Sequence, residues 1–452
     1  MDKLKNYEIK TNKLNYTVIY YYSQCDSIHY IEDLDDTNEL KSIEHKELNR
    51  PDNKFHCFRM FENYEASYNG LLAFKIDFNK WCDEIQSVPI KDGRKNYYYK
   101  LNYKKFLNHN NAVYSFFQSN VKSDRLESFE SIDEDEFYIF ERCLNSGLIT
   151  LNLSYKNQPT NAYGYDFSRY YPNMLLNLKL PIKAGKKYKL TEFESYFRFG
   201  IYRVKINYTN AEFTNIFNFS KLNHYSSTTL NYLKNVKDKY GLTFTLLTDD
   251  DYDYNAYIYE EEDLINGEKL FTKWFAILEL LRSKNPKNRL IKHLMSSLWG
   301  TLSSYKYMYI NQDEIPEYDI TYLDEEETSE YKIMKNLDSG TYKCVKSANA
   351  YNYGLARIKP FLTSYARTYI MKFLHKCNIV ESSIIRIHTD GLVFNKEIDF
   401  ESMNLKYYPK PEDKTTGLIN FKNAIYGFHI CNKCNKEFNY KSFVEHSKIC
   451  QV

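Results

Sequence analysis

Two aspartates, one lysine-bearing apolar stretch and a cysteine-rich C-terminus carry the chemistry-bearing residue types of this 452-residue chain. In Tyr163-Gly164-Tyr165-Asp166-Phe167-Ser168-Arg169-Tyr170-Tyr171-Pro172-Asn173, a short strand delivers Asp166 to a turn, and Pro172 suits the start of a helix. A carboxylate at a strand end suits Mg²⁺, which takes a few hard oxygen ligands and keeps water or phosphate oxygens on its other positions. The same aspartate could equally stabilise the turn with its own side chain.

Arg289-Leu290-Ile291-Lys292-His293-Leu294-Met295-Ser296-Ser297-Leu298-Trp299-Gly300 reads as one helix, with Ile291, Leu294, Met295 and Leu298 on an apolar face. Lys292, Ser296 and Trp299 share a second face, which offers an ammonium, a hydroxyl and a ring to a triphosphate, a sugar and a base. An ordinary amphipathic helix ending at Gly300 as its C-cap fits the same residues. In Ile384-Ile385-Arg386-Ile387-His388-Thr389-Asp390-Gly391-Leu392-Val393-Phe394, two apolar runs flank a tight connection, and Asp-Gly signals a hairpin. Its tip would place Asp390 where it can share a metal with Asp166.

The C-terminus holds a different metal signature. Cys431 and Cys434 are followed by eleven residues, His446, three residues and Cys450. A Cys-x-x-Cys turn can grip one side of a tetrahedral Zn²⁺, and a His and a Cys one helical turn apart the other. Phe438 and Phe443 supply a small core. Lys433, Lys436, Lys441 and Lys448 suit phosphate contact; a stapling role for the zinc fits equally well.

The elements around these residues are plainer. The first 136 residues mix short β-like runs such as Tyr16–Tyr20 with polar stretches. Residues 185–270 read as strand-rich and polar, Phe271–Leu281 as helical and 305–350 as hairpins. An amphipathic helix follows Pro360, with Phe361, Leu362, Tyr365, Ala366, Tyr369, Ile370, Phe373 and Leu374 at helical spacing. The last 25 or so residues read as a separate module. The balance of 61 basic against 59 acidic residues means that any phosphate-binding surface is local. The 45 tyrosines fit an A/T-rich codon bias or rings for stacking on bases. No signal peptide or membrane-spanning run is visible, so the expectation is a soluble, intracellular protein with no membrane partner. Six singly scattered cysteines fit a reducing compartment.

The three motifs, in this order, resemble motifs A, B and C of family B DNA polymerases, and the chain looks similar to the protein-primed type. Motif A reads Asp, two residues, Ser-Leu-Tyr-Pro; Asp166 and Tyr171-Pro172 keep the spacing, with Arg169 and Tyr170 in place of Ser-Leu. Motif B reads Lys, three residues, Asn-Ser, one residue, Tyr-Gly; Lys292, Ser297 and Gly300 match, with Ser296 for Asn and Trp299 for Tyr. Motif C reads Asp-Thr-Asp-Ser; Thr389 and Asp390 match, while His388 and Gly391 replace the first Asp and the Ser. The Phe361–Lys376 helix resembles the palm helix before motif C. Leu144-Asn145-Ser146-Gly147 resembles a weakened Tyr-x-Gly-Gly segment.

The resemblance implies an α+β right hand: palm, fingers and reduced thumb, with a small N-terminal α/β domain and a C-terminal zinc finger. Its parts would be an N-terminal, reduced or degenerate exonuclease-like region (1–136), palm with motif A (137–180), a first terminal-protein-region-like insertion (181–270) and fingers with motif B (271–304). A second insertion (305–350), palm with motif C (351–400), reduced thumb (401–428) and zinc knuckle (429–452) would follow. The implied activity is DNA-directed primer extension by two-metal phosphoryl transfer from dNTPs, with Mg²⁺ or Mn²⁺. Asp166 and Asp390 would bridge the ions, with the Phe167 carbonyl as a further ligand. Lys292 would sit on the triphosphate, with Arg289 and Lys287 as weaker candidates. Tyr171 would exclude a ribose 2′-hydroxyl; Ser297 and Trp299 would lie at the nucleotide, Trp299 packing on the nascent base pair.

Primer-template DNA, dNTPs and a terminal primer protein are the expected partners, at a viral replication site or in a host cytoplasm. His388 cannot reproduce a carboxylate, which leaves a second reading open: a catalytically impaired, polymerase-derived DNA-binding or replisome-scaffold protein. An accidental likeness in a zinc-finger DNA-binding protein is a third. No Asp of the first 136 residues has a Glu two positions on, and Asp77 has Asn79 there, so no 3′→5′ exonuclease is expected.

Overall fold

The computed structural model describes four strands before residue 80 and, with short gaps, residues 80–438. Asp77, Asn79, Leu144, Asn145, Phe443, His446 and Cys450 lie outside the described residues. The chain divides into two compact units, 1–138 with 269–356 and 139–268 with 357–452. Both mix helices and sheets, as an α+β protein does.

In the first unit, Thr17–Tyr21 lies between Ile28–Ile31, antiparallel, and Phe55–Phe58, parallel. The helical run read at Phe271–Leu281 extends over Glu268–Lys284, and Leu270, Phe271, Trp274, Leu278 and Leu281 are buried. Phe271 stacks on Phe117 of the His109–Gln118 helix, with centroids 5.5 Å apart. The hairpins expected in 305–350 form a four-stranded sheet over a core of Ile310, Ile333 and Cys344. Lys332 is buried there; its ammonium donates to Thr321 Oγ1 (2.6 Å) and to the carbonyls of Tyr322 (3.1 Å) and Glu325 (3.2 Å). Three acceptors offset the cost of taking the cation out of water.

The second unit is organised by a seven-stranded sheet. Its strands, in chain order, are β1 (Ile149–Leu151), β2 (Thr160–Asp166), β3 (Ile384–His388), β4 (Gly391–Phe394), β5 (Glu412–Phe421), β6 (Gly427–Ile430) and β7 (Glu437–Phe438). The spatial order is β7-β6-β5-β2-β4-β3-β1, antiparallel throughout. Two of the stretches drawn from sequence contribute strands to this sheet. Residues 412–421, within the stretch assigned to a reduced thumb, form the strand paired with β2. The start of the stretch read as a C-terminal module, through β6 and β7, continues the same sheet; the backbone pairing that joins them leaves no composition signal.

Helices α1 (Tyr170–Asn177) and α3 (Ile358–Lys376) cover one face of the sheet, where Phe167 meets Phe373 edge-on at 4.9 Å and Tyr165 meets Phe400 at 4.9 Å. The expectation of an amphipathic α3 is corrected: Lys359, Thr363, Ser364, Arg367 and Thr368 are buried along with its apolar positions. The polar groups come in with partners. Lys359 pairs with Glu141 at 2.5 Å, and Thr363 Oγ1 donates to the Lys359 carbonyl. The 181–270 region packs on α3, with Met371 in its core, and there Gly200–Asn207 pairs with His224–Ser226, Thr243–Leu246 and Ala256–Ile258. That region also holds a helix not expected from its sequence, α2 (Ser227–Asn235), whose N-cap Ser226 accepts from the Thr229 N–H. His375 of α3 is hydrogen-bonded between the hydroxyls of Tyr232 and Tyr240.

His224 gives this unit a pH dependence. Its imidazole is buried, and burial, reinforced by Arg142 and Arg203, pushes its pKa down to about 3 from an ordinary 6.5. The unfolded chain therefore binds a proton that the folded chain refuses, so stability falls as pH drops below about 6.5. Between pH 7.5 and 5 the loss should be roughly 2 kcal/mol. Urea unfolding at the two pH values measures it, and His224→Gln should flatten the dependence. An equal slope in both proteins would reject this assignment.

Candidate metal and nucleotide site

Asp166 ends β2, and the pairing of that strand fixes what stands beside it. Its Cα partner on β4 is Gly391, and its partner on β5 is Glu412. Gly391 in turn faces His388, which faces Ile149. One row across the sheet thus reads Ile149, His388, Gly391, Asp166, Glu412. Side chains alternate along each strand. Tyr165 and Phe167 point to the helices, so Asp166 and its row project from the opposite face.

Asp390 sits next to this row, in the two-residue turn between β3 and β4. Thr389 adopts φ +62° there, a left-handed conformation that tightens the turn. The Phe167 N–H donates to the Asp390 carbonyl at 3.0 Å, so the residue after the first aspartate is bonded to the second aspartate itself. The two acidic residues, 224 positions apart in sequence, therefore occupy neighbouring strand ends. Both are half-buried and reach solvent.

A third segment buttresses the turn. The Thr389 N–H donates to the Leu148 carbonyl at 2.7 Å, and Gly147 packs so closely that a Cβ would lie 2.6 Å from Thr389 Oγ1. Arg367 of α3 holds the same segment: Nε donates to the Ser146 carbonyl (2.8 Å), Nη2 to the Gly147 carbonyl (3.2 Å) and Nη1 to the Phe217 carbonyl (3.5 Å). Burial lowers its pKa to about 10, which leaves it cationic at neutral pH.

Tyr171, in the first turn of α1, belongs to the same neighbourhood. Its phenol is pushed up to about 12, by burial first and then by the charge of Asp390, with Arg367 opposing. Tyr170 is deeper, and its hydroxyl donates to the Ala366 carbonyl at 2.5 Å. His388 is half-buried, and burial and then the charge of Arg386 hold its imidazole below the ordinary value.

The residues present fit a magnesium ion. Among the described residues no three His, Cys, Asp or Glu side chains gather as a closed cage. Mg²⁺ does not ask for one: it binds through one or two carboxylates and leaves its other positions to water and substrate phosphate. Glu412 and Arg367 are the residues that sequence reading missed. Glu412 has no local signal and is revealed by strand register alone. Arg367 could have been noticed as the one arginine among the closely spaced apolar positions of its helix.

The motif B residues lie in the first unit. The expectation of one helix from Arg289 to Gly300 is corrected. A first helix, Arg289–Ser296, is capped by Asn288, whose side chain accepts from the Ile291 N–H at 3.2 Å. A second, Leu298–Leu302, begins after Ser297, and Gly300 lies inside it rather than at a C-cap. The two serines explain the break, because their hydroxyls compete for local partners. Ser296 Oγ donates to the Lys292 carbonyl (3.0 Å), and Ser297 Oγ bonds the His293 ring (3.0 Å). Lys292 and Trp299 therefore do not share one helical face. Ile291, Leu294, Met295 and Leu298 are buried as read. Lys287, Arg289 and Lys292 are exposed, and Ser297 and Trp299 half-buried.

Cys431 and Cys434 occupy the tip of the β6–β7 hairpin. Among the described residues no helix is long and apolar enough to cross a membrane.

No protein-family model matches the sequence, and no curated protein matches it. Among solved structures, the chain is similar to Phi29 DNA polymerase complexed with primer-template DNA and incoming nucleotide substrates, at 12% identity and a TM-score of 0.48, over 78% of this chain and 66% of that one. It is also similar to Phi29 DNA polymerase complexed with single-stranded DNA, at 11% identity and a TM-score of 0.49, over 80% of this chain and 67% of that one. This chain thus spans about two thirds of their length.

Proposed function

We propose that the protein is a DNA-directed DNA polymerase of the protein-primed family B type, which extends a primer from dNTPs by two-metal phosphoryl transfer. The observation that carries this reading is the meeting of Asp166 and Asp390 at adjoining strand ends, with Phe167 bonded to the Asp390 carbonyl. Random motif matches that far apart in a chain have no reason to converge on one edge of one sheet.

Asp166 and Asp390 would hold the divalent cations, with the Phe167 carbonyl as a further oxygen. Mg²⁺ or Mn²⁺ bound there supplies charge compensation for a phosphoryl group in transfer. Tyr171, beside Asp390, would fill the space that a ribose 2′-hydroxyl needs. Lys292, with Arg289 and Lys287 supporting, keeps the triphosphate role that the motif order assigns, where a fixed cation offsets developing charge. Ser297 and Trp299 keep their place at the incoming nucleotide. Primer-template DNA would be the partner, with a terminal primer protein at initiation.

A second reading, a non-catalytic DNA-binding or replisome-scaffold protein, draws on His388, an imidazole where motif C has its first carboxylate. One assay separates the two. The purified full chain is given a primed template, dNTPs and Mg²⁺ or Mn²⁺. Template-directed extension is expected; tight DNA binding with no incorporation in either metal selects the second reading.

A further inference from the structure

We propose that the four-stranded sheet of the first unit carries, on one face, a stacking platform for single-stranded nucleic acid, built from Tyr305, Tyr307, Tyr309, Lys335 and Lys343. Tyr307 and Tyr309 lie in the edge strand Tyr307–Asn311, and Tyr305 stands just before it, bridged to Tyr351. The three tyrosines occupy alternate positions, so their side chains leave the same face. Met308 and Ile310 point the other way, into the core with Ile333 and Cys344. Tyr305 stacks on Tyr351 with centroids 5.1 Å apart, and Tyr307 follows Tyr305 at 5.6 Å. Tyr351 is buried against Phe137, Tyr305 is half-buried and Tyr307 is 41% exposed. The rings thus form a ladder that is anchored in the packed interior and ends at the surface.

Cross-strand register sets cations among the rings. Lys343 stands opposite Tyr309, and Lys335 opposite Lys343, so one row reads Tyr309, Lys343, Lys335. Tyr307 is the diagonal neighbour of Lys343, whose ammonium lies 3.7 Å from the centre of its ring. Lys335 is exposed, and Lys343 and Tyr309 are half-buried. None of the four strands holds an aspartate or a glutamate. Rings interleaved with lysines, and no carboxylate, complement a chain whose every base offers a flat face and whose every link carries a negative charge. A duplex keeps its base faces stacked on one another, so the rings select a single strand. Their fixed positions mean that little side-chain freedom is lost when bases stack on them.

The test gives the full chain a labelled oligothymidylate in EDTA, with no dNTP. Binding measured this way needs no cation at Asp166 and Asp390, so it succeeds or fails apart from the polymerase reading. A strand substituted with iododeoxyuridine should crosslink on irradiation to the peptide that holds Tyr305, Tyr307 and Tyr309, and added duplex should not protect that peptide. Tyr307→Ala should weaken binding roughly tenfold, the loss of about one base stack, with an unchanged melting temperature. Tyr307→Phe should bind like the parent. Lys343→Gln should lower the slope of log affinity against log salt by about 0.7. Crosslinks confined to other peptides overturn the platform. So does a Tyr307→Ala chain that binds as tightly as the parent, or that changes its oligomeric state in place of its affinity.

Discussion

Asp390→Asn is expected to cut primer extension at least roughly a thousandfold, while the melting temperature stays close to that of the parent. The substitution keeps the size of the side chain and removes its charge. The backbone contacts that shape the turn survive, because the Phe167 N–H bonds to the Asp390 carbonyl and the Thr389 N–H to Leu148. What is lost is one of the two carboxylates proposed to hold the cations. The phenol of Tyr171 should titrate lower in the variant, since the charge of Asp390 helps to raise it. Single-turnover extension measures the loss of activity, Mn²⁺ titration followed by magnetic resonance the loss of cation affinity, and an ultraviolet pH titration the Tyr171 phenol. Equal extension and equal Mn²⁺ affinity in parent and variant would remove Asp390 from the site.

Arg367→Met should destabilise the second unit by about 3–5 kcal/mol. The methionine fills much of the same space but donates nothing to the carbonyls of Ser146, Gly147 and Phe217. Buried acceptors that lose a charged donor suffer the full penalty of desolvation. The damage should extend to the Asp390 turn, because Gly147 packs directly on Thr389. Arg367→Lys should restore only part of the loss, since an ammonium lacks the planar fork that spans several carbonyls. Denaturant unfolding measures the stability, and proteolytic nicking near Ser146 reports the segment. A methionine variant as stable as the parent would show that these bonds contribute nothing net.

The parts of the site legible in the sequence were those with a local signature. The His-Thr-Asp-Gly connection forces a hairpin, and Asp390 sits in its turn as read. Asp166 ends its strand before a turn and a helix as read, although the helix opens at Tyr170 rather than Pro172. What stayed hidden depends on contacts distant in sequence. Glu412 stands across from Asp166 because of a register that includes a bulge between Asp413 and Thr415. Helix α2 was masked by Ser227, Thr228 and Thr229, whose types favour caps and strands until the cap forms and packing overrides them. The break at Ser297 came from side-chain competition that periodicity does not register. The apolar face of α3 was legible; the burial of its other side was not, because Lys359 and Arg367 go inside only with partners already in place.

The neighbours of β2 have a consequence for how the molecule is made. Both strands flanking it, β4 and β5, come from more than 200 positions further along the chain. As the nascent polypeptide leaves the ribosome, the segment ending at Asp166 stays an unpaired edge until residues 391–421 have been synthesised. Such long-delayed pairing is slow and invites association with other chains. Assembly of the acidic pair is therefore a late event in biogenesis, and a translation product stopped before residue 384 would carry the first aspartate with neither of its flanking strands.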